Sequence, residues 1–246
     1  MDDYTPATYG DRIASVYDER YPDSVGGDPS LRTALLAELA GERAALELGI
    51  GTGRVALPLK ASGVAVHGID ASSEMTDRLR TKPGGSDIPV TIADFRDFDL
   101  GRRFGLIYVV FNTFFGLLTQ EDQVMSFRAV ARHLDQGGAF LIEAFVPDVT
   151  RHSRGQLVSA VRSEPDEIEL EVTINDSLAQ RNDSHHVIIR EDGIRLYPVR
   201  IRYAFVSELD LMAQLAGLRL RERWSAWDKS PFDKASTAHI SVWEPA

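Results

Sequence analysis

The stretch Leu46-Glu47-Leu48-Gly49-Ile50-Gly51-Thr52-Gly53 decides the fold class of this 246-residue chain. Three glycines at alternating positions follow a short apolar segment, and a predicted helix over residues 53–61 begins at the last of them. Glycines let the backbone turn sharply, and they let a ligand lie against bare main chain. The helix N-terminus adds free N–H groups and positive potential. The stretch therefore predicts a strand, a ligand-binding turn and a helix in direct succession.

Strands and helices alternate on both sides of this stretch. Apolar runs predict strands over residues 44–48, 64–69, 89–92, 104–111 and 139–145, and helices over 30–40, 53–61, 73–80 and 119–134 lie among them. This order predicts an α/β fold with a parallel sheet and helices on both faces. A last helix over 207–216 precedes two strands, 218–227 and 236–244. Their long hairpin fits a seven-stranded sheet whose last strand is antiparallel.

The pattern changes after Pro147, where polar and apolar residues begin to alternate. Residues 167–174 place isoleucine, leucine and valine on one face and mainly glutamate on the other, and residues 197–205 alternate as well. A shorter strand over 186–190 lies between them. Period-two alternation is typical of antiparallel strands with one solvated face. We expect residues 156–205 to form a β-rich insertion, with its glutamate and arginine rows paired and exposed to solvent.

Composition excludes several classes of function. Asp and Glu number 37 against 27 Lys and Arg, a net charge of -10, whereas nucleic-acid binding requires surplus positive charge. The absence of cysteine excludes disulfides, zinc–thiolate sites and thiol catalysis. We expect no metal site, because no metal-ligand spacing such as H-E-x-x-H occurs. The acidic, polar N-terminus and the lack of a long apolar run predict a cytoplasmic protein without a membrane segment.

The glycine-rich turn has two interpretations. Gly51, Gly53 and Ala56 match the dinucleotide fingerprint, with Asp70 as the acid that holds the ribose. Alternatively, Glu47 and the three glycines match E-x-G-x-G-x-G, an S-adenosylmethionine loop. The acid at position 47 favours the second interpretation, because a dinucleotide strand is usually apolar there. Asp94 after the third strand, an acceptor for an adenine amino group, and the terminal hairpin favour it too.

With these features the sequence resembles class I S-adenosylmethionine-dependent methyltransferases. The motifs that carry the resemblance are LELGIGTG, GIDASSEM and ADFRDFDLGRRFGLIYVVFNTFF. The sequence is similar to small-molecule methyltransferases of natural-product pathways, including sugar N,N-dimethyltransferases and peptide α-amino methyltransferases. The resemblance implies a Rossmann-like seven-stranded core from residues 1–155 and 206–246, with residues 1–30 as a lid. The insertion, residues 156–205, would cap the acceptor site or form a dimer contact.

The resemblance also implies a set of cofactor residues. The residues expected along the methionine part are Glu47, Gly49, Gly51, Gly53 and Tyr17, with Tyr9 and Tyr21 as further candidates. Those expected at the adenosine are Asp70, Ala71, Met75, Asp94 and Phe95. Asn112 would end the fourth strand beside the sulfonium.

The implied activity is transfer of a methyl group from S-adenosylmethionine to nitrogen or oxygen of a small-molecule acceptor, which leaves S-adenosylhomocysteine. In-line displacement mainly requires positioning and exclusion of water. A general base is needed only for a protonated amine or a hydroxyl. The candidate acceptor walls are Phe111, Phe115, Glu143 and Phe145, and His152 is the first candidate base.

Three alternatives remain open at this point. An NAD-dependent oxidoreductase would use Gly51, Gly53, Ala56 and Asp70, although no Tyr-x-x-x-Lys lies near the fourth or fifth strand. A peptide N-terminal amine methyltransferase is a second, and a catalytically silent cofactor-binding module is a third. Related sugar N-methyltransferases often carry a histidine soon after the fourth strand, where this chain has Phe114-Phe115-Gly116-Leu117. That difference argues against an amino-sugar acceptor and indicates an aromatic-walled pocket for a flatter or more apolar molecule. We expect the protein to be a monomer or a homodimer.

Overall fold

The computed structural model describes residues 3–246 of the chain. Its helices are α1 (Thr8–Ile13), α2 (Tyr17–Arg20), α3 (Pro29–Ala40), α4 (Ala56–Ala61), α5 (Ser73–Thr81), α6 (Gln120–His133) and α7 (Val206–Leu215). None of these helices has both the length and the apolar character needed to cross a membrane.

Eleven strands are present in the described residues. They are β1 (Ala45–Leu48), β2 (Val66–Asp70), β3 (Val90–Ile92), β4 (Phe104–Val109), β5 (Leu134–Phe145), β6 (Gln156–Ser163), β7 (Glu167–Asp176), β8 (Arg181–Arg190), β9 (Gly193–Arg202), β10 (Leu218–Trp224) and β11 (Ala238–Pro245).

Seven of the strands form one sheet in the order β10-β11-β5-β4-β1-β2-β3. Strands β1 to β5 run parallel to one another, whereas β11 runs antiparallel to both β5 and β10. The predicted seven-stranded α/β sheet with an antiparallel last strand is therefore confirmed. Strands β1 and β4 lie in its centre and are buried on both faces, which explains their continuous apolar sequences.

Helices cover both faces of this sheet and form two cores. On one side, Leu46 and Phe140 pack with Phe127 of α6 and Met212 of α7. On the other side, Ala45 and Tyr108 belong to a second cluster that includes side chains of α3 and α4. This three-layer arrangement leaves the carboxyl ends of β1, β2, β4 and β5 at a common edge.

The remaining four strands form a separate antiparallel sheet in the order β6-β7-β8-β9. The insertion predicted over residues 156–205 is thus β-rich, but it has a first strand, β6, that the alternation did not predict. Strand β8 also begins at Arg181 rather than at residue 186. Both segments mix polar and apolar residues, so their extended structure depends on pairing with β7.

The two faces of this second sheet are the reverse of the expectation. Glu167 and Glu169 are buried, whereas Ile168 and Ile174 are exposed. The glutamates point inward because they find partners there: Glu167 pairs with Arg190, and Glu169 pairs with Arg20 of α2. The prediction of a solvated glutamate row was therefore wrong.

The arginine row likewise does not pair with the glutamate row. Arg200 forms an ion pair with Asp183, and Arg202 forms one with Glu208 of α7. Strand β8 lies between β7 and β9, so the two rows are not neighbours.

The N-terminal region contains the two short helices α1 and α2. Each is held by a different part of the core. Asp11 of α1 accepts a hydrogen bond from Ser72 Oγ at 2.6 Å, and Asp18 of α2 accepts one from Thr52 Oγ1 at 2.6 Å.

Candidate functional site

A cavity of about 570 Å³ lies at the carboxyl ends of the parallel strands. Its floor is formed by the residues that follow β1, β2 and β4. The N-terminal segment covers it, and the inner face of the four-stranded sheet forms the far wall. Ligands of open α/β sheets bind at this edge, and the volume lies within the range of ligand pockets.

The turn after β1 requires glycine at two positions for different reasons. Gly49 has a φ of +73°, and a Cβ there would lie 2.4 Å from Thr113 Cγ2. Gly49 lines the cavity, so its missing side chain leaves main chain exposed to a ligand. Gly53 has a φ of +78°, and its Cβ would lie 2.3 Å from Leu79 Cδ1. Gly53 does not line the cavity and instead allows α5 to pack closely.

Asp70 ends β2 beside this turn. Its Oδ2 accepts a hydrogen bond from Gly51 N at 2.7 Å, and its Oδ1 accepts one from Ser72 N at 2.8 Å. Burial raises the pKa of Asp70, while the amide donors lower it in part. Each carboxylate oxygen keeps a further lone pair, so the group is able to accept two hydroxyl donors from a ligand.

Glu47 is buried at the carboxyl end of β1, on the cavity floor. Tyr108 Oη donates a hydrogen bond to its Oε2 at 3.0 Å. Burial raises the pKa of Glu47 to about 8, although the Tyr108 hydrogen bond and the nearby Arg54 and Arg32 lower it in part. Without a cationic ligand, this carboxyl is largely protonated at neutral pH.

A strained corner follows β4. Phe111 and Asn112 have φ values of +58° and +63°, a conformation that is unfavourable for residues other than glycine. Two side chains hold the corner in place. Glu143 Oε2 accepts a hydrogen bond from Phe111 N, and Asn112 Oδ1 accepts one from Phe145 N at 2.7 Å. The strain directs Phe111 and Asn112 into the cavity.

Tyrosines of the N-terminal segment cover the cavity on the side away from its floor. The rings of Tyr17 and Tyr21 lie 5.0 Å apart, and Tyr21 meets Phe111 edge to face at 5.3 Å. Burial raises the pKa of Tyr17 to about 12 and raises the pKa of Tyr9 well above its usual value. These phenols are therefore neutral hydrogen-bonding groups in an aromatic wall.

The four-stranded sheet contributes His186, Val199 and Ile201 to the far wall. His186 Nδ1 is 3.0 Å from Glu169 Oε1, and Glu169 is only 4% exposed. His186 was not selected from the sequence, because the orientation of its strand was unknown. His186 lies on the same face of the sheet as Glu169 and Glu171, and this pattern could have identified it. The pattern is informative only when it is known which face of the sheet meets the core.

The structure brings most of the predicted site residues together. The predicted residues that line the cavity are Tyr17, Glu47, Gly49, Gly51, Asp70, Ala71, Met75, Asp94, Phe95, Phe111, Asn112 and Phe145. Those that lie outside its lining are Gly53, Phe115, Glu143 and His152. Lining residues that sequence reasoning did not select include Tyr4, Thr52, Arg54, Ser72, Thr113 and His186.

The four residues outside the lining have other positions. Phe115 is fully buried in the core, with its ring 5.1 Å from that of Phe145. Glu143 lies behind the strained corner and supports it, as described above. His152 follows β5 in a loop that does not reach the cavity.

Comparison with known proteins identifies the family. A model described as a methyltransferase domain matches residues 45–138. The structure of the CcbJ methyltransferase from Streptomyces caelestis superposes with a TM-score of 0.91 at 42% identity, covering 99% of this chain and 100% of that one. The chain belongs to the S-adenosylmethionine-dependent methyltransferases. Its cofactor is S-adenosylmethionine, so the NAD-dependent alternative is set aside.

Two curated relatives of this methyltransferase come from natural-product producers. The cypemycin N-terminal methyltransferase of a Streptomyces species is 28% identical over 203 residues, 82% of this chain and 83% of that protein. The dTDP-4-amino-2,3,4,6-tetradeoxy-D-glucose N,N-dimethyltransferase of Saccharopolyspora spinosa is 30% identical over 145 residues, 56% of this chain and 57% of that protein.

Proposed function

We propose that this methyltransferase methylates a nitrogen atom of a small-molecule acceptor. The observation that carries the proposal is the composition of the cavity beyond the glycine turn. There the rings of Tyr9, Tyr21 and Phe111 line the same cavity as His186, whose partner Glu169 is buried. Aromatic rings attract a cationic amine through their π faces, and a histidine–carboxylate pair is suited to accept its proton.

The residues of the cavity floor fit the cofactor. The main chain exposed at Gly49 and Gly51 suits the methionine part, with Tyr17 and Glu47 beside it. The Asp70 carboxylate suits the two ribose hydroxyls. Ala71, Met75, Asp94 and Phe95 supply the apolar surfaces and the acceptor that an adenine ring requires. Asn112 is the residue that we place next to the sulfonium.

The protein contributes mainly by positioning. When bound, S-adenosylmethionine supplies a methyl group that its sulfonium has already activated. The strained corner at Phe111 and the tyrosine wall restrict where an acceptor nitrogen can lie, and they exclude water. An amine that arrives protonated must lose a proton before its lone pair can attack.

His186 replaces His152 as our candidate for this proton acceptor, because His186 lines the cavity and His152 does not. Its hydrogen bond to Glu169 orients the ring through Nδ1. Nε2 is then the nitrogen available to an acceptor.

The curated relatives support nitrogen as the methylated atom. Both are N-methyltransferases by name, one of an amino sugar nucleotide and one of a peptide N-terminus. The similarity to the cypemycin enzyme over most of both chains favours a peptide α-amine as a second candidate acceptor. The cytoplasmic location expected from the sequence stays a prediction.

A panel of matched acceptors tests the proposal. The purified protein is incubated with S-adenosylmethionine and with dTDP-4-amino-2,3,4,6-tetradeoxy-D-glucose, a short peptide with a free N-terminus, benzylamine or N-methylbenzylamine. Benzyl alcohol and phenol are the matched oxygen acceptors. Mass spectrometry measures S-adenosylhomocysteine and the methylated product. We expect methylation of amines only. Methylation of phenol or benzyl alcohol, with no amine product, would overturn the assignment to nitrogen.

A further inference from the structure

Gly116 is a cavity residue whose lack of a side chain the fold itself does not require. All 19 glycines of the sequence lie in the described part of the chain. Most of them have a positive φ, and at the others except Gly116 an added Cβ would come within 3.0 Å of a neighbouring atom. At Gly116 the φ is not positive, and an added Cβ would meet no atom within 4 Å.

The orientation of position 116 follows from the short helix that it ends. A single turn of 3₁₀ helix, Thr113–Gly116, comes directly after the strained corner. Thr113 faces the cavity floor, because its Cγ2 lies only 2.4 Å from where a Cβ on Gly49 would be. Side chains three residues apart in a 3₁₀ helix eclipse one another. A side chain at position 116 would therefore point the same way as that of Thr113.

The burial of the residues between them agrees with this orientation. Phe114 and Phe115 are both fully buried in the core. Thr113 and Gly116 both line the cavity. The turn thus has a core side and a cavity side, and Gly116 belongs to the cavity side, one turn or about 6 Å along the helix axis from Thr113.

The part of the cavity next to Gly116 is apolar. Leu117 is a buried member of the core, Phe145 and Ile201 pack against the same cluster, and all three line the cavity. Strand β9, which carries Ile201, contacts the 3₁₀ turn. Val199 lies two residues before Ile201, on the same face of β9, and lines the cavity as well. The space that Gly116 leaves open is therefore suited to an apolar group.

We propose that Gly116 makes room for an apolar body of the acceptor and so sets the largest acceptor that this enzyme methylates. Glycine costs conformational entropy wherever a larger residue would fit, and a ligand that occupies the space accounts for keeping it. The acceptor class is a molecule whose reacting atom is attached to a bulky aromatic or branched alkyl group. The inference rests on the proposed function only in taking the reacting atom to be an amine nitrogen.

Acceptors of two sizes test the proposal. The smaller pair is benzylamine and benzyl alcohol, and the larger pair is 4-phenylbenzylamine and 4-phenylbenzyl alcohol. The wild type is compared with Gly116→Ala and Gly116→Leu, which fill the space in two steps. Ala235→Leu is the control, because Ala235 is exposed in the loop between β10 and β11 and does not line the cavity. Mass spectrometry of the products gives kcat/KM, and calorimetry gives the affinity for S-adenosylhomocysteine.

We expect Gly116→Leu to lower kcat/KM for 4-phenylbenzylamine about 100-fold, since a leucine in an apolar pocket excludes a group of similar volume. Its kcat/KM for benzylamine and its affinity for S-adenosylhomocysteine should stay close to those of the wild type. Gly116→Ala should lie between the wild type and Gly116→Leu. Ala235→Leu should not discriminate between the two amines. If Gly116→Leu does not bind S-adenosylhomocysteine, Gly116→Val replaces it and is judged by the same outcomes.

Three results would overturn the proposal. They are an equal loss for both amines in Gly116→Leu, no loss for either amine, and a wild type that neither binds nor methylates the larger amine or the larger alcohol. Methylation of the alcohols alone, with the same dependence on residue 116, would refute the assignment to nitrogen and leave the role of Gly116 intact. Methylation of both amines without that dependence would do the reverse.

Discussion

The two walls of the cavity are built in opposite ways. The floor is main chain: Gly49 exposes its backbone, and Asp70 accepts hydrogen bonds from the amides of Gly51 and Ser72. The far wall is made of side chains, with His186 held by Glu169, which is held in turn by Arg20. The floor depends on local backbone conformation, whereas the far wall depends on contacts between residues far apart in sequence. Small changes of volume should therefore damage the floor most, and loss of a charged partner should damage the far wall most.

The largest effect is expected from Gly49→Ala. The added methyl group would lie 2.4 Å from Thr113 Cγ2, in a turn with a φ of +73°. We expect S-adenosylhomocysteine binding to weaken at least 1,000-fold, which is about 4 kcal/mol, as measured by calorimetry. Gly217→Ala is the matched control, because Gly217 has a φ of +76° with nothing within 4 Å of an added Cβ. Equal loss of affinity in both variants would show that backbone strain alone, rather than contact at the floor, governs binding.

The next effect concerns the stability of the far wall. Glu169→Ala removes the nearer of the two carboxylates that pair with Arg20, whose side chain is only 7% exposed, and leaves that buried positive charge with Glu167 alone, 3.9 Å away. We expect the free energy of unfolding to fall by about 3 kcal/mol, as measured by urea denaturation. Ile174→Ala on the same strand is the control, because this side chain is 53% exposed and should contribute less than about 1 kcal/mol. A larger loss for Ile174→Ala would contradict the orientation of β7.

A catalytic test separates the two faces of β8. His186→Asn should lower kcat/KM for an amine acceptor about 100-fold, within the usual range for loss of a general base. Binding of S-adenosylhomocysteine should not change. His185→Asn is the control, since His185 is the adjacent residue and points to the other face of the sheet. A loss of kcat/KM that is equal at every pH from 6 to 9 would argue for a positioning role instead of proton transfer.

A further effect is a pH dependence at the floor. The folded protein keeps the proton of Glu47 up to pH about 8, whereas an unfolded chain releases it near its ordinary value of 4.5. The buried carboxyl therefore reduces stability as pH rises between these values. Glu47→Gln removes this cost and still accepts the Tyr108 hydrogen bond.

Thermal unfolding at two pH values measures this dependence. The Tm of Glu47→Gln should match that of the wild type at pH 5 and exceed it by several degrees at pH 8.5, since about 1 kcal/mol shifts Tm by 2–4 °C in a domain of this size. The same Tm difference at both pH values would mean that the ionisation of Glu47 is not responsible.

The core of the fold was predictable because its signals are local. An apolar run followed by Gly49-Ile50-Gly51 specifies a strand and a turn within eight residues, and continuous apolar runs mark β1 and β4 as strands buried on both faces. The N-terminal helices were less predictable, because they are held by contacts to Ser72 and Thr52, which are distant in sequence.

The candidate acceptor side was the least predictable part. Alternation in β7 shows that two faces exist, but it does not show which of them meets the core. The buried glutamates are compensated by Arg20 and Arg190, and only the folded chain brings these groups together. His186 was consequently not selected from the sequence, and Glu143 was taken for a wall rather than a support of the corner at Phe111.

By itself, the sequence determined the parallel sheet, the glycine turn and the acids at the ends of β1 and β2, because these depend on residue type and short spacing. Only the tertiary structure decided which face of the second sheet is buried and which histidine lines the cavity. The physical reason is that burial of a charged residue depends on a partner, and the partners of Glu169 lie on α2 and β8, brought to it by the fold.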